Sequence, residues 1–264
     1  MPENISSHSN PLIKQIRAMR QRKGRNESGL FLVEGIHHVG EAVEAGWRIE
    51  ALVYSPQQLT SEFGLRLVEE QERKGVRCVA IPTELFTTIA EKDNPQGVLA
   101  VIGQKALTLG GINPDLFHFG VALVSPQDPG NVGTILRTLD AAGADGLFLV
   151  DGGVDPYHPS SVRASMGTIF WKALVQTSFD AFVAWARANG YFLAGSSAHG
   201  KVDYRDFKVG EKPAILILGN EQKGLSKEQM AASDVVLSMP MKGRASSLNL
   251  AVAAGILVYE ILNP

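Results

Sequence analysis

The chain has 264 residues, 45% apolar and 20% charged, with a formal net charge of −2, one cysteine and six histidines. These totals allow one large α/β domain or two modest ones with separate cores. They exclude a polycation, an intrachain disulfide and, with Cys78 alone among scattered histidines, a zinc-ligand cluster.

In chain order, Asn10-Pro11 caps and opens a helix through about Arg22. Phe31–Val33 reads as a strand, Glu34-Gly35 leads into a helix through Ala45, and Ile49–Tyr54 is a second strand. Ser55-Pro56 opens a helical region ending near Gly75, followed by a strand over Val76–Ile81, a short helix over Pro82–Ala90 and a strand over Gly97–Ile102. This alternation predicts a small N-terminal α/β/α domain over residues 1–103. QKALTLGGINPDLFH, 104–118, interrupts the rhythm with glycine and proline and reads as an interdomain linker.

A second alternation fills 119–264. Gly120–Val124 is a strand, Asn131–Ala142 a helix, Leu147–Val150 a strand, and Ser161–Phe170 a helical stretch. Ala173–Val175 is a strand, Phe179–Ala188 a helix and Tyr191–Gly195 a strand. Ala214–Leu218, AILIL, is apolar throughout, as a central parallel strand should be. Ser226–Ala231 is a short helix, Val235–Ser238 a strand, and 248–262 the last helix. An open parallel sheet with helices on both faces is expected, with ligands at the carboxyl ends of its strands.

No apolar run reaches the roughly 20 residues of a membrane span. The polar start lacks a secretory leader, so a reduced cytoplasmic setting is expected. Charge is uneven: Lys14, Arg17, Arg20, Arg22, Lys23 and Arg25 fall within twelve residues containing no acid. Two readings stand, a solvated helix face or a phosphate-binding arm.

Three loops after predicted strands combine glycine with polar groups. PQDPGNVGTILRT, 126–138, has Asn131 as a possible cap and Arg137 less than two turns further on. LGNEQKGLS, 218–226, nearly matches a phosphate-binding P-loop, but Leu225 occupies the required lysine position, which argues against an ATPase. No G-x-G-x-x-G follows a predicted strand, so a nicotinamide oxidoreductase lacks its fingerprint. MPMKGRASSLNLAVAAG, 239–255, runs from a loop with Lys242 and Arg244 into a helix in which every residue from Leu250 to Tyr259 is apolar or glycine. Ser246 or Ser247 is a plausible N-cap, but capping leaves Asn249 unexplained.

Jointly these loops resemble the three signature motifs of the SpoU (TrmH-type) branch of the SPOUT superfamily, S-adenosylmethionine-dependent RNA ribose 2′-O-methyltransferases. The motifs are DPGNVGTILRTLDAAGADGLFLV, LILGNEQKGLS and MPMKGRASSLNLAVAAGILVYE. VRASMGTIF, 162–170, looks like the family's intervening segment, and the first hundred residues resemble a ribosomal-protein-like RNA-binding domain.

The resemblance implies an RNA-binding domain over 1–103, a linker over 104–118, and a SPOUT domain over 119–264 with a deep trefoil knot. It implies S-adenosyl-L-methionine bound by Gly195, Ser196, Leu218, Gly219, Met239 and Leu248, and catalysis by Asn131, Arg137, Glu221, Ser247 and Asn249, with Glu221 orienting Arg137. It raises the basic arm to an RNA contact, favours rRNA over tRNA, and implies a cytoplasmic homodimer without metal. A tRNA enzyme or a catalytically silent RNA-binding factor are the alternatives. Ser246 departs from a glutamate common in the family.

Overall fold

A computed structural model describes residues 3–91, 93–208, 210 and 212–262. It forms two compact units: Met1–Lys105 with Tyr157–Phe170, and Ala106–Pro156 with Trp171–Pro264.

The chain begins with β1 (Glu3–Asn4), α1 (Pro11–Met19), α2 (Arg22–Ser28), β2 (Leu30–Glu34), α3 (Ile36–Glu44) and β3 (Ile49–Tyr54). It continues through α4 (Glu62–Arg73), β4 (Arg77–Ala80), α5 (Thr83–Ile89) and β5 (Val98–Gly103). Then come β6 (Phe119–Val124), α6 (Pro129–Ala141), β7 (Gly146–Val150), α7 (Pro159–Ala164), β8 (Ala173–Thr177) and α8 (Phe179–Ala188). It closes with β9 (Phe192–Ser196), β10 (Val202–Asp203), β11 (Ala214–Leu218), α9 (Lys227–Ala231), β12 (Val235–Ser238) and α10 (Leu250–Leu262).

In the first unit the strand order is β1-β4-β3-β5-β2, with β5 antiparallel to both neighbours. As expected, α1 is capped by Asn10, whose side chain accepts from Leu12 N at 2.9 Å, and Pro11 opens it. Its apolar face, Leu12, Ile13, Ile16 and Met19, enters the core beside Phe86 and Ile89. The helix ends at Met19 rather than near Arg22, and a second helix, α2, follows. Gly24 makes this turn possible, because a Cβ there would run into the Ala18 carbonyl.

The basic arm is corrected at Arg25. Its side chain is buried, and Nη1 donates to the carbonyls of Met19 (2.8 Å) and Arg20 (3.0 Å), satisfying the end of α1. A cation so enclosed is not available to a phosphate. Arg17 and Arg20 share a face as the spacing indicated, but that face is turned to the protein. Arg17 donates to Thr88 Oγ1 (2.9 Å) and to His8, and Arg20 to the Ala90 carbonyl (2.6 Å). Lys14, Arg22 and Lys23 are exposed.

The segment 157–170 packs within this unit. Trp47 Nε1 donates to the Phe170 carbonyl at 2.9 Å, Tyr157 Oη donates to the Lys105 carbonyl at 2.8 Å, and the Phe31 ring stacks on Phe170 and lies tilted against Tyr157. Arg163 pairs with Glu91 at 2.6 Å.

In the second unit the described strands form one parallel sheet ordered β10-β12-β9-β11-β6-β7-β8. β11 lies at its centre with all five residues buried. The stretch predicted as a linker is partly structural here, since Ile112 and Phe117 are buried in this core. Register aligns Leu218 with Ser196 and with Leu123, and Ser196 with Leu237. The carboxyl ends of β6, β9, β11 and β12 therefore sit side by side, and the loops that follow them meet at one edge. No described helix is long and apolar enough to cross a membrane.

Candidate active site

The loop after β6 begins under strain. Ser125 has φ 45°, a conformation costly for a residue with a Cβ. Its Oγ donates to the Asp151 carbonyl at 3.0 Å, and its own carbonyl accepts from Asn220 Nδ2 at 2.8 Å and Gln127 Nε2 at 3.0 Å. Asp128, not Asn131, caps α6: its side chain accepts from Gly130 N at 2.6 Å, with Pro129 in the first helical position. Asn131 is thereby freed to point inward, and it is buried.

Glu221, from the loop after β11, holds this turn. Its carboxylate accepts from Gln127 N at 2.9 and 3.1 Å, Asp128 N at 3.3 Å and Asn131 Nδ2 at 3.3 Å. An anion at the amino end of α6 is also favoured by the helix dipole. Asn131 Oδ1 in turn accepts from Asn249 Nδ2 at 3.0 Å. Asn249 is itself the cap of α10, accepting from Ala251 N at 2.9 Å and Val252 N at 3.3 Å. The cap expected of Ser246 or Ser247 thus belongs to Asn249. Glu221, Asn131 and Asn249 form a chain of hydrogen bonds joining all three motif loops.

Arg137 stands apart. It is exposed on α6 and has no hydrogen bond or ion pair among the described residues. Six residues along a helix is a rotation of about 240° beyond a full turn, so Arg137 and Asn131 face different sides. The expected Glu221–Arg137 pair is not formed, because the Glu221 oxygens are engaged by the 127–131 turn.

Beside this network lies a cavity of about 410 Å³, within the range of small-ligand sites. Ser196, Leu218, Gly219, Met239 and Leu248 line it, as do Ser246 and Ser247. Gly195 is not among the lining residues: it is buried in β9, where a Cβ would come within 2.7 Å of Ser233 Oγ. Gly219 is required by the fold of its own loop, since a Cβ would strike the Gly224 backbone. That fold is set by Asn220, whose Oδ1 accepts from Gln222 N (3.0 Å) and Lys223 N (3.1 Å), and by Gly224 N donating to the Asn220 carbonyl (2.8 Å).

Sequence reasoning missed Asn220, His199, Met241 and Leu225 as lining residues. Asn220 lies between two residues that were singled out, and its place there was the available signal. Leu225, where a P-loop would need lysine, forms part of the cavity wall. The lining mixes leucine and methionine with serine, asparagine and loop backbone, and its one lysine, Lys223, is offset by Glu221. It fits the flat base, ribose and zwitterionic tail of S-adenosylmethionine better than a polyphosphate.

Residues 118–259 match the SpoU rRNA methylase family, and residues 10–100 match the MRM3-like substrate binding domain. The chain belongs to the SpoU rRNA methylase family. It is 36% identical to the 23S rRNA (uridine(2479)-2′-O)-methyltransferase of Streptomyces viridochromogenes over 90% of this chain and 84% of that protein. It is 31% identical to the 23S rRNA (guanosine(2553)-2′-O)-methyltransferase RlmP of Bacillus subtilis strain 168 over 98% of this chain and 99% of that protein. The crystal structure of an AdoMet-bound rRNA methyltransferase from Sinorhizobium meliloti superposes with a TM-score of 0.90 at 38% identity, covering 98% of this chain and 96% of that one.

Proposed function

We propose that the protein methylates a ribose 2′-hydroxyl of RNA, with 23S rRNA as the substrate and S-adenosyl-L-methionine as the donor. The observation that carries this reading is the Glu221–Asn131–Asn249 chain at the edge of a cavity lined by Ser196, Leu218, Gly219, Met239 and Leu248. When bound, the donor supplies a methyl group already activated by its sulfonium.

The protein then has to align the hydroxyl and manage one proton. Ser246 and Ser247, exposed at the cavity, offer hydroxyls to the ribose or the cofactor. Asn131, Glu221 and Asn249 hold the three loops in register. Arg137 supplies positive charge to a phosphate or to the developing alkoxide. A guanidinium keeps its proton in proteins, so its role is electrostatic rather than that of a base.

The unit built around 1–103 is the substrate-binding part in this reading, with Lys14, Arg22 and Lys23 on its exposed surface. The similarity of residues 10–100 to a substrate-binding domain supports it and favours rRNA over tRNA. A cytoplasmic location follows from such a substrate. A trefoil knot in the second unit accords with family membership.

A homodimer is part of the same reading. On α10, Leu250, Ala251, Ala254, Leu257, Val258 and Ile261 are buried, whereas Val252, Ile256 and Tyr259 are 50%, 38% and 47% exposed. These three form one stripe at helical spacing. A second copy covers this stripe.

The test is to map ribose methylations in 23S rRNA from a strain lacking the gene against its parent. Loss of one 2′-O-methyl mark, restored by the gene, is expected. An unchanged map, with no S-adenosylmethionine binding by calorimetry, would leave a silent RNA-binding factor instead.

A further inference from the structure

The expected RNA arm is partly structural, since Arg17, Arg20 and Arg25 each donate to groups of the protein itself. The cavity mouth supplies other cations. The loop after β9 carries Lys201, and the loop after β12 carries Lys242 and Arg244. All three are exposed, and none makes a side-chain hydrogen bond or an ion pair within 4 Å among the described residues. Nearby cations that do have partners differ in this respect. Arg205 is spent on Asp203 (2.8 and 2.6 Å), and Lys208 lies 3.8 Å from Glu260.

The sheet brings the two loops together. β10 pairs with β12 through Val202↔Leu237 and Asp203↔Ser238. Ser197 N donates to the Leu237 carbonyl at 2.9 Å and Lys201 N to the Val236 carbonyl at 3.1 Å. Gly200 lets the first loop lie directly on the end of β12, where a Cβ would strike the Leu237 carbonyl. Lys242 is close enough to act on Asp203, whose carboxyl is held at about 2, chiefly by Arg205 and further by Lys242. The loops also border the cavity, through Ser197, Ala198 and His199 from one and Met241, Ser246 and Ser247 from the other. Lys201, Lys242 and Arg244 are not among its lining residues, but each lies within two residues of one that is, His199, Met241 or Ser246.

We infer that Lys201, Lys242 and Arg244 bind the phosphates of the RNA strand that flank the target ribose. This rests on the RNA methyltransferase reading above and deepens it. A ribose brought to the cavity carries a phosphate on each side, and unpaired cations at the mouth release condensed counterions when they meet those phosphates. Exposed pairs such as Arg205–Asp203 contribute little by comparison, because their charge is already matched.

The test uses the full chain, S-adenosylmethionine and transcribed 23S rRNA. The triple variant Lys201→Ala/Lys242→Ala/Arg244→Ala is compared with the charge-preserving Lys201→Arg/Lys242→Arg/Arg244→Lys. Each lost contact should lower the log–log salt slope of RNA binding by about 0.7 on single strands, so the alanine variant should lose about 2. That is about a hundredfold in affinity across a tenfold change in salt. Cofactor affinity by calorimetry should stay unchanged, and the charge-preserving variant should keep the wild-type slope. An unchanged slope in the alanine variant overturns the inference. Weakened cofactor binding with the slope retained also overturns it, because the cations would then serve the cofactor. If the wild type binds neither cofactor nor RNA, the functional reading itself fails, which is a separate result.

Discussion

Asn249 Nδ2 donates to Asn131 Oδ1 at 3.0 Å across 118 residues of chain, while Asn249 Oδ1 caps α10. One side chain therefore sets both the start of the last helix and the position of a buried amide on α6. Asn249→Ala removes both, with a cap worth about 1 kcal/mol and a further ~1–3 kcal/mol from an unsatisfied buried acceptor. Asn249→Asp keeps the cap but cannot donate to Asn131. Thermal melts should rank wild type above Asp and Asp above Ala, and both variants should lose most methyl transfer. An Asp variant with full activity would remove the Asn131 link from the mechanism.

Arg137→Ala should abolish methyl transfer, by about a hundredfold or more if it opposes charge in the transition state. Calorimetric affinity for S-adenosylmethionine should remain, because Arg137 is exposed and is not among the cavity residues. Turnover near the wild-type rate would refute its assigned role.

The stripe of Val252, Ile256 and Tyr259 predicts a dimer of obligate size, above roughly 2,000 Å² in total. Light scattering at micromolar concentration should report two copies for the wild type and one for Val252→Asp/Ile256→Asp. A charge placed in a buried apolar interface is strongly disfavoured. A monomeric wild type would remove the proposal.

The arginines of the first unit should divide by burial. Arg25→Ala should lower stability by a few kcal/mol, because the end of α1 loses its donors, without a specific change in salt dependence. Lys14→Ala/Lys23→Ala should leave melting nearly unchanged and lower the salt slope of RNA binding. The reverse pattern would restore the whole arm as an RNA contact.

Cys78 is buried with its Sγ 3.7 Å from the Val68 carbonyl, and burial pushes the thiol up to about 11 from 9. The folded state thus favours the neutral thiol. Its contribution to stability is fully present below pH 9 and is lost as pH rises through about 11. Melts between pH 8 and 11 should show a steeper alkaline decline for the wild type than for Cys78→Ala. At pH 8 the native thiol should also react with a disulfide reagent about a hundredfold more slowly than the unfolded one.

Much of this was legible in the sequence where one element decides the outcome. AILIL became the central strand, Asn10-Pro11 the cap of α1, and Phe179–Ala188 a helix with those bounds. What escaped depends on partners distant in sequence. Asp128 and Asn131 are both good caps by type, and only Glu221, some ninety residues on, shows which one turns inward. Arg25 looks like its basic neighbours until Gly24 folds α2 back onto α1. Gly195 reads as a ligand-facing glycine, but its clearance serves Ser233. The apolar run 250–259 was legible as one that must be covered, but not which side its own chain covers.

The placement of 157–170 has a consequence for modular reuse. The backbone passes between the two units three times, at 105–106, 156–157 and 170–171. A fragment cut after residue 103 would leave Phe31 and Trp47 without Tyr157 and Phe170, and the indole N–H without its acceptor. Neither unit is therefore a cassette that can be exchanged by a single crossover. A chimera that carries the first unit onto another catalytic sheet has to take this loop along, so recognition and catalysis in this chain are inherited together.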